Sequence, residues 1–298
     1  MSESEAHPKR RRLPWYARWV LYIAAIYLAY CTLLFFVQHK LIFPAAMAGQ
    51  AQPIPVHRDA VKLEIDTEQG TSVAWFIPAP GSSGDNPTPI AIFFHGNAEL
   101  VDHQHAIIDL YHSLGASVLL PEYRGYGGDG GSEGSPSQAH LVADAEAFYD
   151  LAVVLPGVDG ERVVIHGRSI GGGVAAQLAD RRPCAAVVVE STGTSVARKA
   201  WGFGVPPFIV RSPFYTARVF HELDVPVMIM HGEHDDIFPY QHARDLLAAA
   251  PNGVLVPFDA GHNDLGTGPE RERYGEVVET HLRNAGVIPA ATEEAHGH

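Results

Sequence analysis

Two periodicities divide the chain. Residues 19–37, WVLYIAAIYLAYCTLLFFV, run without one charge. As a helix this stretch covers about 28 Å, close to the roughly 30 Å hydrocarbon core of a bilayer. From residue 61 onward the pattern changes to short apolar runs alternating with longer amphipathic stretches. Residues 61–66 and 72–77 read as an opening pair of strands. Residues 90–95 (IAIFFH), 116–121, 163–166, 185–190, 226–231 and 253–258 read as further strands, several of them apolar throughout, as buried parallel strands are. Between them, residues 99–114, 137–154, 170–179, 240–250 and 269–284 carry helical spacing. This βα rhythm predicts an α/β fold, a mostly parallel doubly wound sheet with helices on both faces. Ligands in such sheets bind at the carboxyl ends of the strands.

The expected organisation is a basic N-terminal segment (1–18), a transmembrane helix (19–37), a proline-containing extended linker (38–60), an α/β domain (61–286) with a short cap at 191–220, and a flexible tail (287–298). The cap carries Trp201, Phe203, Phe208, Phe214, Tyr215 and Phe220 with Pro206-Pro207, a composition suited to walling an apolar acyl pocket. Its other reading is ordinary packing on the sheet.

Charge refines this picture. The 298 residues carry a formal net charge of −13, which argues against a nucleic-acid partner. Residues 1–48 are the exception, with Lys9, Arg10, Arg11, Arg12, Arg18 and Lys40 against Glu3 and Glu5. Five of these cations precede the apolar run, so the positive-inside rule puts the N-terminus in the cytoplasm and the domain on the extracytoplasmic side, the periplasm in a bacterium. Trp15, Tyr16 and Trp19 sit where interfacial aromatics gather. A cleaved signal peptide, with a late small-residue site at Ala46-Met47-Ala48, and a buried soluble helix are the alternatives. Cys31 and Cys184 are too few for a disulfide framework.

The candidate chemistry lies at strand ends. Residues 163–173 read VVIHGRSIGGG, an apolar strand, then Gly167-Arg168-Ser169-Ile170-Gly171, then a helix. Glycines two residues either side of a serine fit a strand-to-helix turn so tight that flanking side chains must be nearly absent. A glycine-rich turn that only packs, or that holds a phosphate, has the same spacing. Two later segments shift the balance. The strand at 226–231 leads into His231-Gly232-Glu233-His234-Asp235-Asp236, and the strand at 253–258 leads into Gly261-His262-Asn263-Asp264. Ser169, an acid and His262 thus follow three strands in the order serine, acid, histidine. Asp236 and Glu190 compete with Asp235 for the acid; their other readings are a solvated or capping carboxylate and a loop anchor. The loop at 95–99 is placed to supply one backbone N–H to an oxyanion, from Asn97, and the helix N-terminus another, from Ile170. His95 reads as a brace for that loop. Arg124 reads as a structural ion-pair partner, and His103, His105 and His112 as a histidine-rich helix rather than a metal site.

With these segments in view, FHGNAE at 94–99, EYRGYG at 122–127, GRSIGG at 167–172, HGEHDDIFP at 231–239 and GHND at 261–264, the chain resembles the α/β-hydrolase superfamily. Within it the chain is similar to the membrane-anchored ABHD/Bem46-like serine hydrolases, over residues 38–284 and the short N-terminal anchor. The resemblance implies hydrolysis of acyl esters, thioesters or lysolipids with no metal or organic cofactor. It also implies a triad of Ser169, Asp235 and His262, with Asp235 in the family's acid position, four residues after His231. Oxyanion donors would be Asn97 and Ile170. Glu122 stands where the family commonly has Asp, and the glycine loop at 127–132 is interrupted by Asp129. The partners expected are a lipid-like or acyl ester substrate and, through the N-terminal helix, a membrane. A serine peptidase on the same fold and a non-catalytic binding shell are the alternative functions.

Overall fold

A computed structural model of the protein describes residues 13–49 and 59–290. The first twelve residues of the basic segment, residues 50–58 of the expected linker and residues 291–298 of the expected tail lie outside the described residues. In chain order come helix α1 (Trp15–Ile42), the one-turn α2 (Ala45–Ala48), strands β1 (Val61–Thr67), β2 (Gly70–Ile77) and β3 (Thr88–Phe94), α3 (His105–Ser113), β4 (Ser117–Pro121), α4 (Gln138–Ala152), β5 (Val158–Arg168), α5 (Ile170–Ala179) and β6 (Ala186–Glu190). Then follow α6 (Val196–Gly202), α7 (Thr216–Phe220), β7 (Val227–Gly232), α8 (Gln241–Ala249), β8 (Gly253–Phe258) and α9 (Arg271–Asn284).

The eight strands form one sheet in the order β1-β2-β4-β3-β5-β6-β7-β8. β1 pairs antiparallel with β2, and β2 antiparallel with β4; every other pairing is parallel. The central strands are apolar on both faces because helices cover both. Along β3, Ile90, Ile92 and Phe94 pack with α4 and α5, whereas Ala91 and Phe93 pack with α3 and α9. That is the period-two alternation of a strand dividing two cores. All seven β3 residues are buried. The register Phe94↔Gly167 and Arg168↔Glu190 brings the carboxyl ends of β3, β5 and β6 to one rim.

The structure departs from the sequence expectation in four places. The extended linker reading of residues 38–60 does not hold at its start: α1 continues to Ile42, and Phe43 and Ala48 are buried in the α4–α5 core, Phe43 edge-on to Phe214. The apolar run ends at Val37, but nothing at Gln38-His39-Lys40 stops a helix; Phe43-Pro44 does. The helix expected at 99–114 is broken into a 3-10 turn (Val101–His103) and α3. The tail expected from residue 287 begins with Val287 and Ile288 buried in the α3–α9 core. β5 runs over eleven residues rather than 163–166, because its polar start, Asp159 to Glu161, lies at the partly exposed lower end of the sheet.

α1 is long and apolar enough to cross a membrane, with no residue of its own buried. It meets the rest of the protein along one stripe. The Tyr27 and Tyr30 hydroxyls donate to the carbonyls of Gly204 and Phe203, each at 2.8 Å, and the Gln38 amide donates to Ile209 and accepts from the Arg211 N–H.

His166 on β5 is wholly buried, with Nδ1 3.0 Å from the Tyr111 hydroxyl. Burial, helped by the Arg168 charge, pushes its pKa down to about 3. An unfolded imidazole titrates near 6.5, so at lower pH the unfolded chain takes up a proton that the folded one refuses. Stability therefore falls as pH drops from about 6.5 toward 3, by about 2 kcal/mol over the first one and a half pH units. Urea unfolding midpoints of His166→Asn are expected to change less between about pH 7 and pH 5 than those of the parent. Equal pH slopes in the two proteins would refute this.

Candidate active site

The turn between β5 and α5 is tightly packed. Ser169 sits there with φ 54° and ψ −117°, a left-handed conformation that a side chain-bearing residue adopts only when its surroundings impose it. The surroundings are close. A Cβ on Gly167 would collide with the carbonyl of Gly171, one on Gly171 with the carbonyl of Phe94, and one on Gly172 with the Thr192 side chain. The Ser169 N–H is held by the Glu190 carbonyl at 2.8 Å, and the Thr192 hydroxyl donates to the Ser169 carbonyl at 3.1 Å.

Ser169 Oγ lies 3.0 Å from Nε2 of His262, and Nδ1 of His262 lies 2.8 Å from Oδ2 of Asp235. The serine follows β5, the acid follows β7 and the histidine follows β8, so three parallel strands deliver the three groups to one rim. Asp235 is buried and Asp236 is exposed, which separates two neighbours that sequence leaves side by side. Asp235 Oδ1 accepts the N–H groups of Ile237 and Phe238 at 2.8 and 2.7 Å, and Oδ2 lies 3.2 Å from His231 Nε2. Burial works to raise the Asp235 pKa; the hydrogen bonds from His231, His262 and the backbone outweigh it and hold the carboxyl well below the usual range. Such a carboxylate stays charged and can orient an imidazole. Glu190 is fully buried but bonds Arg168 and Tyr274.

The loop after β3 is braced as a unit. His95 Nε2 is 2.9 Å from Glu122, whose other oxygen accepts the Val101 N–H. The Tyr123 hydroxyl donates to the His95 carbonyl and the Tyr126 hydroxyl to the Asn97 carbonyl, each at 2.7 Å. Arg168 joins this loop to the serine turn: it donates to Glu190 at 2.8 Å and to Glu99 at 3.3 Å, and Glu99 accepts the Gly96 N–H. Burial would raise the Glu99 pKa, but the Arg168 charge overrides it and keeps the carboxyl low. Asn97, Ile170, Ser169 and His262 all line one cavity of about 620 Å³. Arg124 lies away from it, paired with Asp144 at 2.6 Å and Glu68 at 2.5 Å.

The sequence profile of the family described as "Serine aminopeptidase, S33" matches residues 85–220. The chain is 29% identical over 279 residues to the "Alpha/beta hydrolase domain-containing protein WAV2" of Arabidopsis thaliana, covering 81% of this chain and 88% of that protein. It is 34% identical over 237 residues to the "Uncharacterized protein Rv2307c" of Mycobacterium tuberculosis, covering 76% and 81%. The chain belongs to the α/β-hydrolase family. Among solved structures, esterase 2 of Thermogutta terrifontis superposes with a TM-score of 0.64 at 19% identity, over 80% of this chain and 99% of that one, and shares the fold.

This α/β-hydrolase has one pocket wall that the sequence analysis did not assign. Tyr30, Leu34, Gln38 and Leu41 of α1 line the cavity opposite the cap residues Phe203, Val205 and Ile209. A signal existed: Tyr27, Tyr30, Leu34, Gln38 and Leu41 recur at helical three- and four-residue spacing, two hydroxyls and an amide on one stripe. Lys199 also lines the cavity, its ammonium bonded to the Ile237 carbonyl over the Phe238 ring.

The glycine packing of the turn is directly testable. Gly171→Ala is expected to lower stability by about 3 kcal/mol, since the new methyl meets backbone that cannot yield. Gly202→Ala, where an added Cβ meets nothing within 4 Å, serves as the control. Equal thermal midpoints for the two variants would contradict the packing argument.

Proposed function

We propose that this α/β-hydrolase is a membrane-anchored serine hydrolase that cleaves acyl ester or thioester bonds of lipid-like substrates. The observation that carries the reading is the continuous contact from Ser169 Oγ through His262 to a buried, charged Asp235. His262 Nε2 takes the Ser169 proton as Oγ bonds to the carbonyl carbon, and Asp235 stabilises the imidazolium. The backbone N–H groups of Asn97 and Ile170 receive the oxyanion, each worth about 3–4 kcal/mol in comparable sites. His262 then protonates the departing alcohol or thiol. Water, deprotonated by the same imidazole, attacks the acyl-enzyme and returns Ser169.

Membrane anchoring by α1 is supported by its length and apolar character. Retention of the helix is supported by packing: removal of the chain through Ala48 would take Phe43 and Ala48 out of the core. The basic residues before α1 favour a cytoplasmic N-terminus and an extracytoplasmic catalytic domain. The family profile bears the name of a peptidase, and that is the second reading. An aminopeptidase must hold an ammonium group near the scissile bond, which calls for a carboxylate. The residues lining the cavity include no Asp or Glu, and its one charge is Lys199, so the ester reading is preferred.

Thermogutta terrifontis esterase 2 has been captured phosphoramylated by tabun, and an organophosphorus probe is the direct test here. A fluorophosphonate is expected to label the protein stoichiometrically, and Ser169→Ala to abolish the label. Asp235→Asn is expected to reduce turnover of p-nitrophenyl butyrate roughly ten-thousandfold, while Asp236→Asn leaves it nearly unchanged. Persistent labelling of Ser169→Ala, or equal loss in both aspartate variants, would refute the assignment.

A further inference from the structure

Taking α1 as a membrane span, as proposed above, we infer that the apolar turn of the cap, residues 201–210, inserts into the same leaflet beside α1. The acyl chain of a bilayer lipid then enters the cavity sideways, between helix and cap, without crossing water.

The turn reads WGFGVPPFIV, ten residues with no charged side chain. Trp201, Phe203 and Phe208 are 61%, 68% and 86% exposed, a concentration of bare aromatic surface unlike the rest of the domain. What covers it follows from its depth. Tyr30 and Tyr27 of α1 donate to the carbonyls of Phe203 and Gly204. A span needs about 20 residues, and every window of that length within Trp15–Ile42 contains both tyrosines. Gln38, at the polar end of the apolar run, bonds the other end of the turn through Ile209 and Arg211. From Gln38 to Tyr30 and Tyr27 the helix rises about 12 and 16 Å. The tip of the turn therefore lies within the hydrocarbon wherever α1 spans, and deep in one leaflet with Gln38 at the polar boundary.

Most of the turn's backbone N–H groups suit such a place. Irregular chain at membrane depth must satisfy its own polar groups. The N–H groups of Phe203, Gly204, Val205, Ile209 and Val210 all donate to carbonyls within the cap, and Pro206 and Pro207 have none to satisfy. The carbonyls of Phe203, Gly204 and Ile209 are taken by α1 side chains. Charge returns with Arg211, whose guanidinium lies 5.7 Å over the Phe35 ring next to Gln38, at the level where a basic side chain reaches the headgroups. The cavity that holds Ser169 and His262 lies between these two elements, with Leu34 and Leu41 on one side and Val205 and Ile209 on the other. The α1–cap hydrogen bonds sit at Tyr27 and Tyr30 on one side and at Gln38 on the other, so an acyl chain already in the leaflet enters between them, past Leu34.

The test uses the full chain in phosphatidylcholine vesicles, with Cys31 and Cys184 replaced by serine. A nitrobenzoxadiazole probe is attached at Phe208→Cys in the cap or at Leu28→Cys in α1. Both probes are expected to be quenched by lipids carrying a nitroxide on the acyl chain and to be shielded from aqueous iodide. A quenched α1 probe with an iodide-accessible cap probe overturns the inference and leaves the anchor intact; two iodide-accessible probes overturn both. This readout does not depend on catalysis. In parallel, Trp201→Glu combined with Phe208→Glu places two charges at the inserted surface, away from the cavity lining. Hydrolysis of a long-chain ester held in the vesicle is expected to fall at least about tenfold, while p-nitrophenyl butyrate in solution is hydrolysed within about twofold of the parent rate. Equal loss on both substrates, or loss on neither, rules out sideways entry.

Discussion

The left-handed backbone of Ser169 is the constraint around which the rest of the site is arranged. It lifts one hydroxyl above the sheet rim and starts α5 in the same step. It can do so only because the neighbouring glycines let α5 press against the end of β3 and the Thr192 loop. The Arg168 guanidinium then fixes the turn to the loop that follows β3, through Glu99 on one side and Glu190 on the other. A strained conformation of this kind costs of order 1–3 kcal/mol. Here the hydrogen bonds to Ser169 N and O and the close packing of β3, β5 and β6 hold it in place.

Much of this was legible in the sequence, and the limits have physical causes. α5 and β8 coincide with the expected 170–179 and 253–258 because a glycine turn or an asparagine-glycine pair marks their starts. The start of β5 was hidden because polar residues occupy a strand end that the helices do not cover. Helix α1 outran its apolar segment, since hydropathy reports the solvent a helix prefers and not where its hydrogen-bond ladder stops. For the site, strand order alone brought Ser169, His262 and an acid together. The choice between Asp235 and Asp236 needed a likeness to a family, because adjacent carboxylates differ only in burial, and burial is a property of the folded loop.

The wall contributed by α1 was least visible. A helix that is apolar all round carries no amphipathic signature, so the stripe that meets the cap is marked only by two tyrosines and a glutamine among aliphatic residues. Those three side chains meet main-chain carbonyls and amides of the cap rather than other side chains. Contacts of that kind leave no complementary residue type elsewhere in the chain to be noticed.

The burial of Phe43 and the reach of Gln38 give α1 a structural role beside that of the tether proposed for it. Any hydrophobic helix of similar length could fill a tethering role, but a foreign one would leave the groove beside Ser169 with a side missing. Drift along this stretch is therefore constrained by shape as well as by oiliness, and grafting another apolar helix onto residue 49 would leave that groove with an open flank.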